Sequence, residues 1–169
     1  MITFKEIAAA GKYHDDNAIP DVVNYITRED KAVHRYIFGT KVDATDIAGS
    51  MVAVSEYYGK NSQIRLHHFV VSFPKEQSDI EVLIQIAKAV CAYIGTVYQV
   101  AAAIHEDRKP GLHIHFVFNA VSYVNGYKYH GSKGDYRELI EGISSILYRH
   151  KLYPLVPVKY RADSYNLHE

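Results

Sequence analysis

The sequence predicts an α+β fold: a single-domain sandwich with a central, mainly antiparallel five-stranded sheet and helices packed chiefly on one face. Three observations carry that expectation. The central segments run strand, helix, strand, strand, helix, and the two adjacent strands are joined only by a tight turn at Pro110-Gly111. From 112 to 119 the chain alternates, so His113, His115, Val117 and Asn119 share one face while Leu112, Ile114, Phe116 and Phe118 share the other. Between 78 and 95, Leu83, Ala87, Val90 and Ile94 recur at helical spacing and mark a helix with one buried stripe.

The elements follow in chain order. Residues 1–18 read as a short strand and a loop. Ile19-Pro20-Asp21 opens a helix, with Pro20 suited to the first turn and Asp21 to the positive end of the dipole. Its apolar face is Ile19, Val22, Val23 and Ile26, with Tyr25 at the edge. Residues 36–42 form a short strand or ordered loop. Residues 43–59 form a helix capped by Asp43 or Thr45, with Ile47, Met51, Val54 and Tyr58 spaced along it. Strand-like residues 64–73 end at Pro74. The helix over 78–95 has Ser78 as cap, Glu81 at the capping-box position and Gly95 as stop. Residues 97–105 are the next strand, with small Ala101 and Ala103 on the face of His105. After the strand over 112–121 and a turn through Asn125-Gly126, residues 135–151 form a last helix buried through Leu139, Ile140, Ile143, Ile146 and Leu147. A short, proline-punctuated strand over 152–158 follows.

Composition narrows the class. A chain of 169 residues, 48% hydrophobic, suits one domain with a substantial core and excludes wholesale disorder. The single cysteine, Cys91, excludes an internal disulfide framework and fits a reducing compartment, so a cytoplasmic location is expected. No apolar run approaches the ~20 residues that span a bilayer, and the N-terminus lacks a secretory apolar segment. Zero formal net charge argues against indiscriminate nucleic-acid binding. A local patch remains: residues 125–161 hold seven Lys/Arg against three Asp/Glu. Fifteen tyrosines, with no tryptophan, offer rings that stack on bases or fill half-exposed strands.

The chemistry concentrates at Ile104-His105 and at Leu112-His113-Ile114-His115-Phe116-Val117-Phe118-Asn119. An antiparallel hairpin brings His105 beside the His113/His115 pair, giving three imidazoles on one sheet face with no cysteine nearby. That donor set suits a divalent metal with open coordination positions. Such a site can act as a Lewis acid on a phosphate. No serine or cysteine nucleophile is evident, and a tyrosine can serve for phosphodiester transesterification, where the covalent intermediate conserves the bond for resealing.

These segments resemble a known family. Ala103-Ile104-His105-Glu106-Asp107-Arg108, followed by Leu112-His113-Ile114-His115-Phe116-Val117-Phe118-Asn119-Ala120-Val121, resembles the three-histidine motif of relaxases, the mobilisation nucleases of the HUH endonuclease superfamily. Val22-Val23-Asn24-Tyr25-Ile26-Thr27-Arg28-Glu29-Asp30-Lys31 is similar to the family's N-terminal tyrosine motif. His67-His68-Phe69-Val70-Val71-Ser72-Phe73 is similar to its middle strand, and residues 126–136 resemble the segment leading into its last helix. The likeness covers roughly residues 20–155 and implies one relaxase-like nuclease domain over 1–169. Family members usually continue well beyond this length.

By this resemblance Tyr25 attacks a scissile phosphate of single-stranded DNA at an origin of transfer, beside a hairpin, leaving a 5′-phosphotyrosyl link and a free 3′-OH. The implied setting is conjugative mobilisation with accessory relaxosome proteins. His105, His113 and His115 would hold Mg²⁺ or Mn²⁺, and activity would fall below about pH 6 as imidazoles protonate. Asp107 and Asn119 are candidates to orient a ligand or touch substrate. Arg28, Lys31, Lys128, Lys133 and Arg137 are candidate phosphate contacts. His67, His68 and His130 read as structural or rim residues. Two other functions stand beside this one: an HUH replication initiator or transposase using Tyr136 or Tyr148, and a non-catalytic single-stranded-DNA-binding module. A histidine-nucleophile nucleotide hydrolase fits less well, because position 117 is Val where an alternating histidine is expected.

Overall fold

The computed structural model describes residues 1–7, 13–32, 36–106 and 111–158. Asp107 and Pro110, singled out above, lie outside the described residues. Among the described residues six strands form one sheet: β1 (Ile2–Glu6), β2 (Ile37–Thr40), β3 (Leu66–Ser72), β4 (Val100–His105), β5 (His113–Asn119) and β6 (Leu155–Pro157). Their order is β2-β4-β5-β3-β1-β6, and every pairing is antiparallel except β1 with β6. The α+β class and the mainly antiparallel sheet are as expected, with six strands in place of five. The weak segments 37–40 and 155–157 both find places, at opposite edges of the sheet.

Four helices appear among the described residues: α1 (Ala18–Thr27), α2 (Ile47–Tyr57), α3 (Ile80–Ile94) and α4 (Lys133–Arg149). α3 and α4 cover the face built from Phe4, Phe69, Val71, Ile114, Phe116 and Phe118. Phe69 stacks on Phe116 with ring centroids 4.9 Å apart, so adjacent strands interlock through flat faces. The histidine face is covered too, contrary to the expectation of helices chiefly on one side. α1 and α2 bury Ile19, Val22, Val23, Ile26 and Met51 against Val70, Ala101, Ala103 and Val117. The reason lies in the strand itself. Beside and beyond the histidines this face carries apolar Val70, Ala101, Ala103 and Val117, and the small side chains of Ala101 and Ala103 admit a helix close to the sheet.

Local hydrogen bonding adjusts the helix starts. Asp46 caps α2, accepting from Gly49 N at 2.9 Å, whereas Asp43 accepts from Thr45 N in the preceding turn. Asp79, not Ser78, caps α3. The Ser78 hydroxyl instead accepts from Leu112 N at 3.0 Å and donates to Pro74 O at 2.8 Å, pinning the start of β5 to the end of β3. Gly111 fits the same junction: a Cβ there would meet Phe73 O at 1.8 Å, so only glycine allows the approach. α4 begins with a full capping box, Ser132 with Asp135.

Candidate metal centre

Strand register gathers the histidines. His105 is directly opposite His113 across β4–β5, and His115 is opposite Ala103. Alternation turns all three rings to one face, where their ligand nitrogens lie within 4.8 Å of one another. Ring centroids are 4.3 Å apart for His105–His115 and 5.1 Å for His113–His115. None of the three is more than 4% exposed, so they form a buried cluster and not an open rim.

α1 lies directly over this cluster. His105 Nε2–H donates to the Ile26 carbonyl at 2.7 Å, using an acceptor from the last turn of α1. A neutral His105 ring that donates through Nε2 carries its lone pair on Nδ1. The residue before Ile26 is Tyr25, whose ring packs edge-on to His105 at 6.4 Å and to His115 at 5.9 Å between centroids. Tyr25 is 6% exposed, and the Lys31 ammonium sits 5.2 Å from its ring centroid.

A second layer stands behind the cluster. His68 Nε2 hydrogen-bonds His115 Nδ1 at 2.8 Å, and His68 Nδ1 hydrogen-bonds the Tyr13 hydroxyl at 3.1 Å. Burial, with the nearby His105 as a lesser cause, pushes His68 down to about 3, so this ring is neutral near pH 7. Sequence reading placed His68 with His67 as structural or rim. Strand alternation separates them: His67 stacks on Phe118 across the sheet, at 5.1 Å, and hydrogen-bonds Tyr129 O at 2.9 Å.

The donor set fits a divalent ion. One ligand nitrogen from each imidazole lies within 4.8 Å of the other two, and the other ring nitrogens of His105 and His115 are hydrogen-bonded, as those of metal-bound histidines usually are. Their spacing approaches what one ion with bonds of roughly 2 Å spans.

Other candidates are placed elsewhere. Asn119 follows His115 by four strand residues, about 13 Å along β5, and its side chain is fully engaged. It donates to Met51 O and Gln99 Oε1 and accepts from Ser55 Oγ and Val121 N. It bolts α2 to the sheet and does not reach the histidines. Lys128 donates to Ser62 O in the loops beyond the Leu66–Asn119 end of the sheet, the end opposite His113. Lys133 and Arg137 are exposed on α4, across the sheet. Tyr136 packs edge-on to Phe4 at 5.6 Å, and Tyr148 is 69% exposed beside Tyr153. α4 buries Ile143 and Leu147 on the face of Phe116, so neither tyrosine shares a face with the histidines. Arg28 and Lys31 follow α1 near the cluster, and Arg28 pairs with Asp30 at 2.8 Å.

No helix among the described residues is long and apolar enough to cross a membrane. No curated protein matches the chain. The family model described as "Relaxase: MobA/VirD2-like, nuclease domain" matches residues 25–152, about three quarters of the sequence.

Proposed function

Because the chain belongs to the family of MobA/VirD2-like relaxase nuclease domains, we propose that it nicks and rejoins single-stranded DNA through Tyr25 in conjugative mobilisation. The family supports a DNA-nicking relaxase at the coarse level, and the cluster of His105, His113 and His115 suggests a divalent metal. One observation carries the finer assignment: Tyr25 packs on two of the three histidines, and His105 hydrogen-bonds the next residue's carbonyl. These contacts support a reading in which Tyr25 is the nucleophile beside a metal held by His105, His113 and His115.

In this reading the Tyr25 oxygen forms a bond to the scissile phosphorus and gives up its phenolic proton. The bond from phosphorus to the 3′-oxygen breaks, and that oxygen leaves as a protonated 3′-OH. The 5′-phosphotyrosyl link keeps the free energy of the phosphodiester, and attack by a 3′-OH reverses the step. A bound Mg²⁺ or Mn²⁺, held by His105, His113 and His115, would supply Lewis-acid polarisation of the phosphate. His105 holds the end of α1, and so the Tyr25 backbone, against the cluster. Lys31, over the Tyr25 ring, and Arg28 supply positive charge for the strand entering there. Arg28 would do so in competition with Asp30. The substrate is single-stranded DNA at an origin of transfer, in the cytoplasm. Lys128, Lys133 and Arg137 stand too far from the cluster to touch the scissile phosphate and would meet only more distant DNA.

The test is incubation of the protein with labelled origin oligonucleotides and Mn²⁺. Wild type should yield a denaturation-resistant protein–DNA band that EDTA prevents. Tyr25→Phe should abolish the band, and Tyr136→Phe and Tyr148→Phe should retain it. Retention in Tyr25→Phe with loss in either α4 variant would favour the replication-initiator or transposase chemistry. Binding indifferent to EDTA, with no band from any protein, would leave a non-catalytic binding module.

A further inference from the structure

The metal-facing histidines are supported differently. His105 leans on a backbone carbonyl, which is always an acceptor and therefore fixes the ring's proton on Nε2. His115 leans on another imidazole, which can donate or accept, and that imidazole leans on a hydroxyl, which can also do either. The two hydrogen bonds His115–His68 and His68–Tyr13 can therefore run in either of two directions, with opposite consequences.

In the first, the Tyr13 hydroxyl donates to His68 Nδ1 and His68 Nε2–H donates to His115 Nδ1. A neutral His115 then carries its proton on Nε2, the nitrogen nearer the cluster, and cannot bind a metal there. In the second, His115 Nδ1–H donates to His68 Nε2, and His68 Nδ1–H donates to the Tyr13 oxygen. Only this arrangement puts a lone pair on His115 Nε2. Geometry allows both, at 2.8 Å and 3.1 Å, and the hydrogen-bond direction decides whether the third ligand exists.

We propose that His68 and Tyr13 are positioning residues that fix the tautomer and ring orientation of His115 and so set the affinity of the three-histidine site for divalent metal. The inference rests on the metal reading of His105, His113 and His115 and adds a layer behind it. Three features support it. His68 is 1% exposed and Tyr13 is 5% exposed, so water does not compete for these bonds. Both backbones are tied into the sheet region, Ile7 N donating to His68 O at 2.8 Å and Arg65 N donating to Tyr13 O at 2.8 Å. The surroundings of the chain include Ile7, Ile19, Val70 and Val117, where an imidazole and a phenol filling space alone would be poorer choices than aliphatic side chains. Metal-bound histidines commonly lean on a carboxylate or a carbonyl, and losing such a partner costs 10–100-fold in affinity. A neutral imidazole in that place orients His115 without adding negative charge to the site.

The experiment measures Mn²⁺ affinity by titration calorimetry, with no DNA present, and His tautomers by long-range ¹⁵N–¹H spectra of the Zn²⁺-loaded protein. Wild type should bind one ion and show His68 protonated on Nδ1. His68→Leu should weaken Mn²⁺ binding 10–100-fold. His68→Gln, whose amide oxygen can accept from His115 Nδ1, should recover most of that loss, and Tyr13→Phe should fall between them. If His68→Leu does not fold, His68→Gln, Tyr13→Phe and the wild-type spectra still decide. Unchanged affinity in His68→Leu and Tyr13→Phe, or His68 protonated on Nε2 in the loaded protein, overturns the proposal while leaving the metal site standing. Failure of wild type to bind either ion overturns the metal reading itself.

Discussion

Asn119→Ala should destabilise the protein severely while leaving the chemistry of each folded molecule almost untouched. The Asn119 side chain is wholly buried and makes four hydrogen bonds, to Met51 O, Gln99 Oε1, Ser55 Oγ and Val121 N. Ser55 and Met51 O still bond each other when the amide is gone, at 3.3 Å. Val121 N and Gln99 Oε1 lose their bonds to Asn119, and a stranded buried polar group costs about 1–3 kcal/mol. With the smaller loss from the other two bonds, the sum is about 3–5 kcal/mol, a large share of a typical domain's stability. At roughly 2–4 °C per kcal/mol for a chain of this size, Tm should fall by about 10 °C. Urea unfolding followed by circular dichroism reads the loss as a lower midpoint at unchanged slope. Nicking, scaled to the folded fraction, should stay within a few-fold of wild type. A loss below about 1 kcal/mol, or normal stability with nicking abolished, would refute the reasoning and return Asn119 to the substrate.

Metal should stabilise the fold by mass action: Mn²⁺ at 100 times its Kd adds about 2.7 kcal/mol, read as a Tm increase that EDTA reverses and His105→Ala removes. An equal increase in His105→Ala would contradict the assigned ligands. His67 predicts a pH dependence. Burial is the main cause holding it below 6.5, so as pH falls the unfolded chain takes up that proton first. Its contribution is complete above about pH 6.5 and is lost on acidification towards the folded value. His67→Phe, which can keep the stack on Phe118, should lose less stability than wild type between pH 7 and 5, and parallel curves would contradict this. Cys91 is buried and its thiol is pushed up to about 12, so a disulfide exchange reagent should label it only after unfolding. Rapid labelling of native protein would show that α3 opens readily.

The long periodic segments were legible because one rule sufficed for each. Alternation separated His113 and His115 from Ile114 and Phe116, and helical spacing found α1, α3 and α4. Helix starts were less legible where two capping residues stood side by side, since Ser78 and Asp79 can both cap and the choice turned on Ser78 bonding Leu112 N and Pro74 O instead. The three histidines could be grouped from sequence because their turn is short. His68 could not be added, because its approach to His115 depends on the β3–β5 register, which pairs Val70 with His115 across 45 residues of chain. A Tyr25 nucleophile required α1 over the histidine face, and that cover is present; the addition of α2 was less legible, although Val117, Ala101 and Ala103 make the face apolar enough to receive both helices. The basic residues Lys128, Lys133 and Arg137 belong to segments that fold away from the cluster, and local sequence carries no sign of that.

Identification of the residue bonded to DNA tests the central claim most directly. After reaction with a labelled origin oligonucleotide and Mn²⁺, nuclease trimming and trypsin should leave a nucleotide on the peptide spanning residues 13–28, which holds both Tyr13 and Tyr25. Fragmentation should place the added mass on Tyr25. The same mass on Tyr136, Tyr148 or Tyr13 would contradict the account.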